Sequence, residues 1–143
     1  MTQLMIRFCP VCGKDSFEPY QNKAFQCNQC DFLYYNNVAT TSSAIISVGE
    51  EILLVIRAQY PQQGKFDLPG GFVEPGETAE HGLLRELKEE LSIEFNDHGN
   101  YLCSYTNRYE FADVIYNTLD LFFHINLSSK PFIEVADDVA GFQ

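Results

Sequence analysis

Apolar and polar positions alternate with a period of two over long stretches of this chain. From Tyr116 to Leu127, one side carries Leu119, Leu121, Phe123, Ile125 and Leu127. The other carries Thr118, Asp120, Phe122, His124 and Asn126. That period predicts a β-strand with one face toward a core. Residues 42–48 and 52–57 are more uniformly apolar and predict two strands joined by a tight turn at Gly49-Glu50-Glu51. Phe66-Asp67-Leu68, residues 100–106, 109–111 and 139–143 predict further strands. Polar stretches at 58–65, 94–100 and 128–131 read as loops. One segment follows a different period. From Thr78 the chain runs without proline, and Leu84, Leu87 and Leu91 recur at i, i+3 and i+7, predicting an amphipathic helix with Thr78 as its N-cap. Asn36-Asn37 is a polar turn signal and sets the expected seam, with a small module over 1–36 and a main domain over 37–143.

Composition narrows the class. A chain of 143 residues, 45% apolar and 14% aromatic, can close a packed core as one domain, or one domain with a small module. The net charge is −11 without a basic cluster. That argues against sequence-independent binding of nucleic acid or an anionic membrane. The longest aliphatic run, Ile52 to Ile56, is far too short to cross a bilayer, and the N-terminus lacks the pattern of a signal peptide. Both point to the cytoplasm, where paired cysteines are reduced or metal-bound.

The first module carries Cys9-x-x-Cys12 and Cys27-x-x-Cys30. Each pair can direct two thiolates at one tetrahedral ion, so together they predict a closed four-cysteine site for structural zinc. A redox pair or two disulfides are the alternatives; two pairs at ribbon spacing without a secretory signal favour zinc. So short a segment has little core, and the metal would supply most of its folding energy. Phe8, Phe17, Tyr20, Phe25, Phe32, Tyr34 and Tyr35 are expected to pack around the ribbon or dock it. Cys103 reads as a buried, inert strand residue, and His81, His98 and His124 lack ligand spacing.

The helix presents Glu86, Glu89 and Glu90 within one turn. Like charges at i+3 and i+4 repel, and here they lie toward the negative end of the helix dipole. A hard divalent cation with oxygen ligands removes both penalties; a solvated charged face is the ordinary alternative. Upstream, Pro69-Gly70-Gly71 allows close approach of the backbone, and Glu74-Pro75-Gly76-Glu77 makes a second turn into the helix. Together these residues resemble the Nudix box, G-x5-E-x7-R-E-U-x-E-E-x-G-U, with U a bulky apolar residue. Gly71, Glu77, Arg85, Glu86, Leu87, Glu89, Glu90 and Ile93 match in spacing, and Ser92 stands where the box has glycine. Serine there predicts backbone strain or a different end to the last turn.

The resemblance implies an α/β fold: a Nudix α/β/α sandwich with a mixed sheet, preceded by the zinc ribbon. It also implies a helix after the final strand, which this sequence does not reach. It implies hydrolysis of a pyrophosphate bond in a nucleoside diphosphate linked to another group. Glu86, Glu89, Glu90 and the Gly70 carbonyl would hold catalytic Mg²⁺ (or Mn²⁺), and Gly71 would line the turn. Glu77 and Arg85 would pair to hold loop against helix. The base is not fixed by the box: a box glutamate or one of the distal carboxylates Glu134, Asp137 and Asp138 could serve. A four-cysteine ribbon ahead of such a domain is similar to the NADH pyrophosphatase branch, whose members are commonly homodimers. That branch carries a Ser-Gln-Pro-Trp run after the box, and this chain has no tryptophan. Members that cleave ADP-ribose often have a proline in that region, whereas here the next one is Pro131; members that cleave dinucleoside polyphosphates often have a tyrosine, which Tyr109 supplies. A non-catalytic module that senses a nucleotide or binds a partner is the competing expectation.

Overall fold

The computed structural model describes residues 6–112, 114–136 and 138–143. Two units emerge, one comprising the chain up to Val38 with Tyr109–Tyr116, the other Ala39–Arg108 with Asn117–Gln143.

In the first unit, β1 (Phe17–Tyr20), β2 (Ala24–Cys27) and β3 (Leu33–Tyr35) form an antiparallel sheet in that order. Its small core is Phe17 with Cys9 and Cys27, against which Phe25 and Phe32 pack. The Phe17 ring stacks on both, at 5.7 and 6.1 Å between centroids. Of the other aromatic residues expected to pack there, Phe8, Tyr20 and Tyr35 are exposed, while Tyr34, also exposed, tilts against the Phe17 ring at 6.5 Å between centroids.

The second unit is built on β4 (Ala39–Val48). β5 (Glu51–Ile52) pairs with its far end after a turn at Gly49. Residues 52–57 do not form the single strand their apolar run predicts. Leu53 and Leu54 carry the chain from one sheet to another, and β6 (Val55–Arg57) pairs there with β7 (Phe66–Asp67). Both faces of such a run can be buried, so hydrophobicity alone does not show where the strand breaks. β8 (Gly70–Phe72) returns to β4, antiparallel. After α1 (Ala79–Leu91), β9 (Asn100–Phe111) runs as one strand through Asn107 and Arg108, where two short ones were expected. β10 (Val114–Asn126) lies parallel to β4. β11 (Val139–Phe142) pairs with β6. The main sheet thus reads β5-β4-β10-β9 with β8 also on β4, and the smaller one β11-β6-β7.

The core joins Ala44, Ile46, Val55, Phe123, Ile125 and Val139 to one stripe of α1, with Leu121 and Leu127 packed against it. The alternation read along β10 thus holds from Leu121 to Leu127, whereas Leu119 lies outside this core and Thr118, on the expected outer face, is buried. The helix stripe differs by one residue. Leu83, Leu87 and Leu91 are fully buried, at i, i+4 and i+8, while Leu84 is half-buried. Each fully buried leucine is worth roughly 1.5–3 kcal/mol, enough to fix the rotation of the helix on the sheet. Thr78 caps the helix through its hydroxyl, which accepts the His81 N–H at 3.2 Å. Ser92 ends it in the left-handed conformation, φ 57° and ψ 29°, its N–H bonded to the Lys88 carbonyl. The left-handed cap is thus kept, by a residue with a Cβ.

Candidate functional site

The glycine turn and α1 meet because β8 has almost no side-chain bulk. Gly70 is at φ +139°, and a Cβ there would fall 2.2 Å from the Ser42 carbonyl oxygen. A Cβ on Gly71 would fall 2.4 Å from the carboxylate carbon of Glu86. These two glycines therefore allow the helix carboxylates to lie directly on backbone. Glu90 is buried, and its Oε2 accepts the Gly70 N–H at 2.8 Å. Burial pushes its carboxyl up to about 8; the Gly70 N–H lowers it, but Glu86, Asp67 and Asp138 add repulsion.

Arg85 is the centre of the arrangement. It forms a fork on Glu77, with Nη2 to Oε1 at 2.7 Å and Nε to Oε2 at 3.2 Å. Its Nη2 also donates to the Phe72 carbonyl at 2.9 Å, tying the helix to β8. Its Nη1 donates to Glu86 at 2.8 Å and Glu89 at 3.0 Å. The fork, with the Glu74 N–H at 2.7 Å from Glu77, holds the Glu77 carboxyl below the usual carboxylate range. The same three glutamates keep Arg85 firmly charged. One guanidinium thus sets the positions of three box carboxylates, more than an isolated surface pair would do.

Gly82 was not singled out in the sequence, though it is buried in α1 where a Cβ would sit 2.8 Å from Glu77 Oε1. The available signal is its place inside a helix, where glycine costs about 1 kcal/mol against alanine. Glu86, Glu89 and Glu90 share one side of the helix, yet they are held by Arg85 and Gly70 rather than converging on one point. Among the described residues, the only group of three or more possible ligands with all ligating atoms within 4.8 Å is the cysteine quartet. The donor set of the glutamates still fits a hard cation: oxygen donors, one buried, beside a turn with no side chain to block approach. Of the distal candidates, the Glu134 N–H bonds to the Leu91 carbonyl, which places that loop at the C-terminal end of α1. Asp138 accepts from Gln59 at 2.7 Å, close enough to Glu90 to repel its charge. Asp137 lies outside the described residues.

In the first unit, Cys9 and Cys30 sulfurs lie 3.7 Å apart and those of Cys12 and Cys27 3.6 Å. Tetrahedral Zn–S bonds of about 2.3 Å require S···S separations of roughly 3.8 Å, so the quartet fits that ion. Both knuckles close alike, Gly13 N–H on the Cys9 carbonyl and Asp31 N–H on the Cys27 carbonyl. Gly13 and Asp31 both take positive φ, 71° and 56°. The Ser16 hydroxyl, 3.2 Å away, and the Gln29 N–H, at 3.3 Å, favour the Cys27 thiolate and lower its pKa. Cys30 is raised: the Phe32 N–H favours its thiolate, but burial and the neighbouring sulfurs outweigh it. Four cysteine sulfurs gathered this closely suit a cation that would favour their thiolate forms.

Tyr109 lies near the end of β9, where its ring stacks on Phe111 at 6.4 Å. Cys103 is half-buried, not buried as expected, since β9 is the outer strand of its sheet. No described helix is long and apolar enough to cross a membrane.

A model of the NUDIX domain matches residues 38–140. The NAD-capped RNA hydrolase NudC of Pseudomonas entomophila (strain L48) is 35% identical over 88 residues, 62% of this chain and 32% of that protein. NudC of Vibrio vulnificus (strain CMCP6) is 40% identical over 96 residues, 66% and 35% of the two chains. The chain therefore spans about a third of the length of the curated relatives it matches. A bifunctional NMN adenylyltransferase/ADP ribose pyrophosphatase from Francisella tularensis superposes with TM-score 0.59 and 27% identity, over 76% of this chain and 33% of that one. A NUDIX hydrolase from Nitrosomonas europaea shares the fold at TM-score 0.61 and 20% identity, over 96% and 76% of the chains.

Proposed function

The chain belongs to the Nudix family, and on that footing we propose that it hydrolyses a pyrophosphate bond in a nucleoside diphosphate linked to a second group. The observation that carries this reading is the Arg85 hub. Arg85 holds Glu77, Glu86 and Glu89, and the glycine turn of β8 lies against Glu86 and Glu90. Glu86, Glu89 and Glu90 would hold Mg²⁺ (or Mn²⁺), with the Gly70 carbonyl as a further ligand. A divalent ion there would neutralise diphosphate oxygens and lower the pKa of an attacking water. Arg85 and Glu77 position; they keep the helix at a fixed distance from β8. Gly70 and Gly71 let a phosphate approach the backbone. Glu90, with its raised pKa, is a group that can hold a proton near neutral pH in the free protein, and Glu134 and Asp138 are distal carboxylates on a loop that meets the helix end.

The named activity of the NudC relatives supports a dinucleotide substrate of the NAD type, and the Francisella protein's name supports ADP-ribose as a second candidate. The sequence charge of −11 argues against grip along an RNA backbone. An RNA substrate would be held at its pyrophosphate-capped end. The chain departs from the NADH-cleaving signature after the box, so the loop 94–99 and β9 would set substrate choice. The quartet Cys9, Cys12, Cys27 and Cys30 would hold structural zinc within a module over 1–36, ahead of the catalytic domain over 37–143. We place the protein in the cytoplasm as a homodimer, the state common in the NADH pyrophosphatase branch it resembles. A purely sensing module is disfavoured because every box carboxylate is retained.

The test is phosphate-ester release from NADH, NAD, ADP-ribose, diadenosine polyphosphates and a NAD-capped oligonucleotide. Turnover that disappears on omission of Mg²⁺ and in Glu90→Gln is the expected result. A folded, metal-replete protein without turnover on any of these would return the weight to a sensing role.

A further inference from the structure

Three strands place Phe72, Thr41 and Asp120 in one row. Phe72 of β8 lies opposite Thr41 of β4, and Thr41 lies opposite Asp120 of β10. Directly opposed residues share a face, so all three side chains project to one side of the sheet. Gly71, Ser42 and Leu121, the next row, project to the other, where Glu86 lies. β8 and β5 both occupy the side of β4 away from β10, so β8 is a sheet edge at this level. A ligand held at the carboxylates would reach this face over that edge, where Gly70 and Gly71 add no side chain of their own. Asp120 then lies about two strand spacings, ~10 Å, from Phe72. The Phe72 carbonyl is itself bonded to Arg85.

Asp120 is set up as an acceptor. Its Oδ1 takes the Thr41 hydroxyl at 2.9 Å and its Oδ2 the Asn107 amide at 3.2 Å. Both donors are neutral, and among the described residues Asp120 forms no ion pair. A carboxylate has about four acceptor positions, so each oxygen keeps one for a ligand. A group that offers two donors side by side complements it. A phosphate at the same place would meet an uncompensated negative charge. Beside this acceptor, Phe122 lies two residues along the same face. The Tyr105 ring meets Phe122 edge-on at 6.2 Å and is itself 66% exposed, an aromatic surface on which a base can stack.

We propose that Asp120, oriented by Thr41 and Asn107, is the specificity-determining acceptor for the nucleoside half of the substrate. It reads paired hydroxyl or amine donors and excludes a nucleoside bearing an added phosphate. This rests on the reading of the chain as a hydrolase of nucleoside diphosphate derivatives.

The experiment measures binding to the full chain, with its metals, by calorimetry. The ligands are ADP, 2′,3′-dideoxy-ADP, IDP and adenosine 2′-phosphate 5′-diphosphate. The wild type should bind ADP about ten- to a hundredfold tighter than the analogue lacking the donors it reads, the loss expected for bonds to a charged group. Loss with the dideoxy compound identifies the ribose diol, and loss with IDP the base amine. Asp120→Asn keeps the shape of the side chain and should erase that ratio while improving binding of the 2′-phosphate. Thr41→Val, which removes only the orienting hydroxyl, should reduce the ratio and serves if Asp120→Asn does not fold. A ratio unchanged in both variants overturns the proposal, as does failure of the wild type to bind ADP. Turnover of the wild type is measured separately. An active enzyme with an unchanged ratio sinks the role of Asp120 alone, whereas an inactive one sinks the hydrolase reading.

Discussion

Metal binding at the helix carboxylates should release a proton, and the structure gives the size of the effect. Burial lifts the Glu90 carboxyl from 4.5 to about 8 in the metal-free protein. At pH 7 a group with that value is about nine-tenths protonated, so a cation that needs the carboxylate displaces about 0.9 proton. Affinity should then fall roughly tenfold for each pH unit below 8, because each unit adds about 1.4 kcal/mol of deprotonation cost. The same displacement sets a stability slope of stated sign. The folded-state value lies above the unfolded one, so Glu90 contributes most below pH 4.5, and that contribution is lost as pH rises toward 8. The loss is on the order of 3–5 kcal/mol at most, and bound metal should remove it. Calorimetric titration with Mn²⁺ in buffers of different ionisation enthalpy counts the protons, and denaturant unfolding between pH 5 and 9 reads the slope. Glu90→Gln should show neither proton release nor slope. Metal binding at pH 7 without proton release, or with an affinity flat from pH 6 to 8, would refute the assignment of a raised pKa to a ligating Glu90.

Two further outcomes follow from local geometry. Ser92→Gly should stabilise the protein by about 0.5–1 kcal/mol, because a left-handed residue with a Cβ costs roughly 1–2 kcal/mol and part of the gain is lost to the freer unfolded chain. Thermal unfolding should shift upward by about 2–4 °C, and a downward shift would show that the serine makes a compensating contact. Removal of zinc by a chelator should leave amide exchange in β1, β2 and β3 faster by orders of magnitude, since Phe17, Ala24 and two cysteines are the only buried apolar residues described there. Mass spectrometry should find one zinc per chain before treatment, and slow exchange without metal would make the sheet self-supporting.

What the sequence determined by itself is what short-range spacing fixes. The helix, its Thr78 cap and the placement of Glu86, Glu89 and Glu90 on one side follow from 3.6 residues per turn. The two knuckles follow from C-x-x-C, and the inward face of β10 from a period of two. These features depend on neighbours within a few positions, so they are legible before the chain folds. Tertiary structure decided the rest, because the relevant partners are distant or because several local solutions are equally good. Leu83 rather than Leu84 joins the core stripe, since both lie near the same helix face and only docking onto Ala44 and Ile46 selects the rotation. The apolar run at 52–57 breaks at Leu53-Leu54 because two sheets compete for it. Glu90 is buried while Glu89 stays exposed, a difference set by where β8 crosses the helix. Arg85 gains its contact to Phe72 only through the packing of β8 on the helix. Thr41 and Asp120, 79 residues apart, meet only through the parallel register of β4 and β10. A pattern of hydrophobicity states that a strand has an inner face, but hydrogen-bond register between distant strands determines which side chains stand beside one another there.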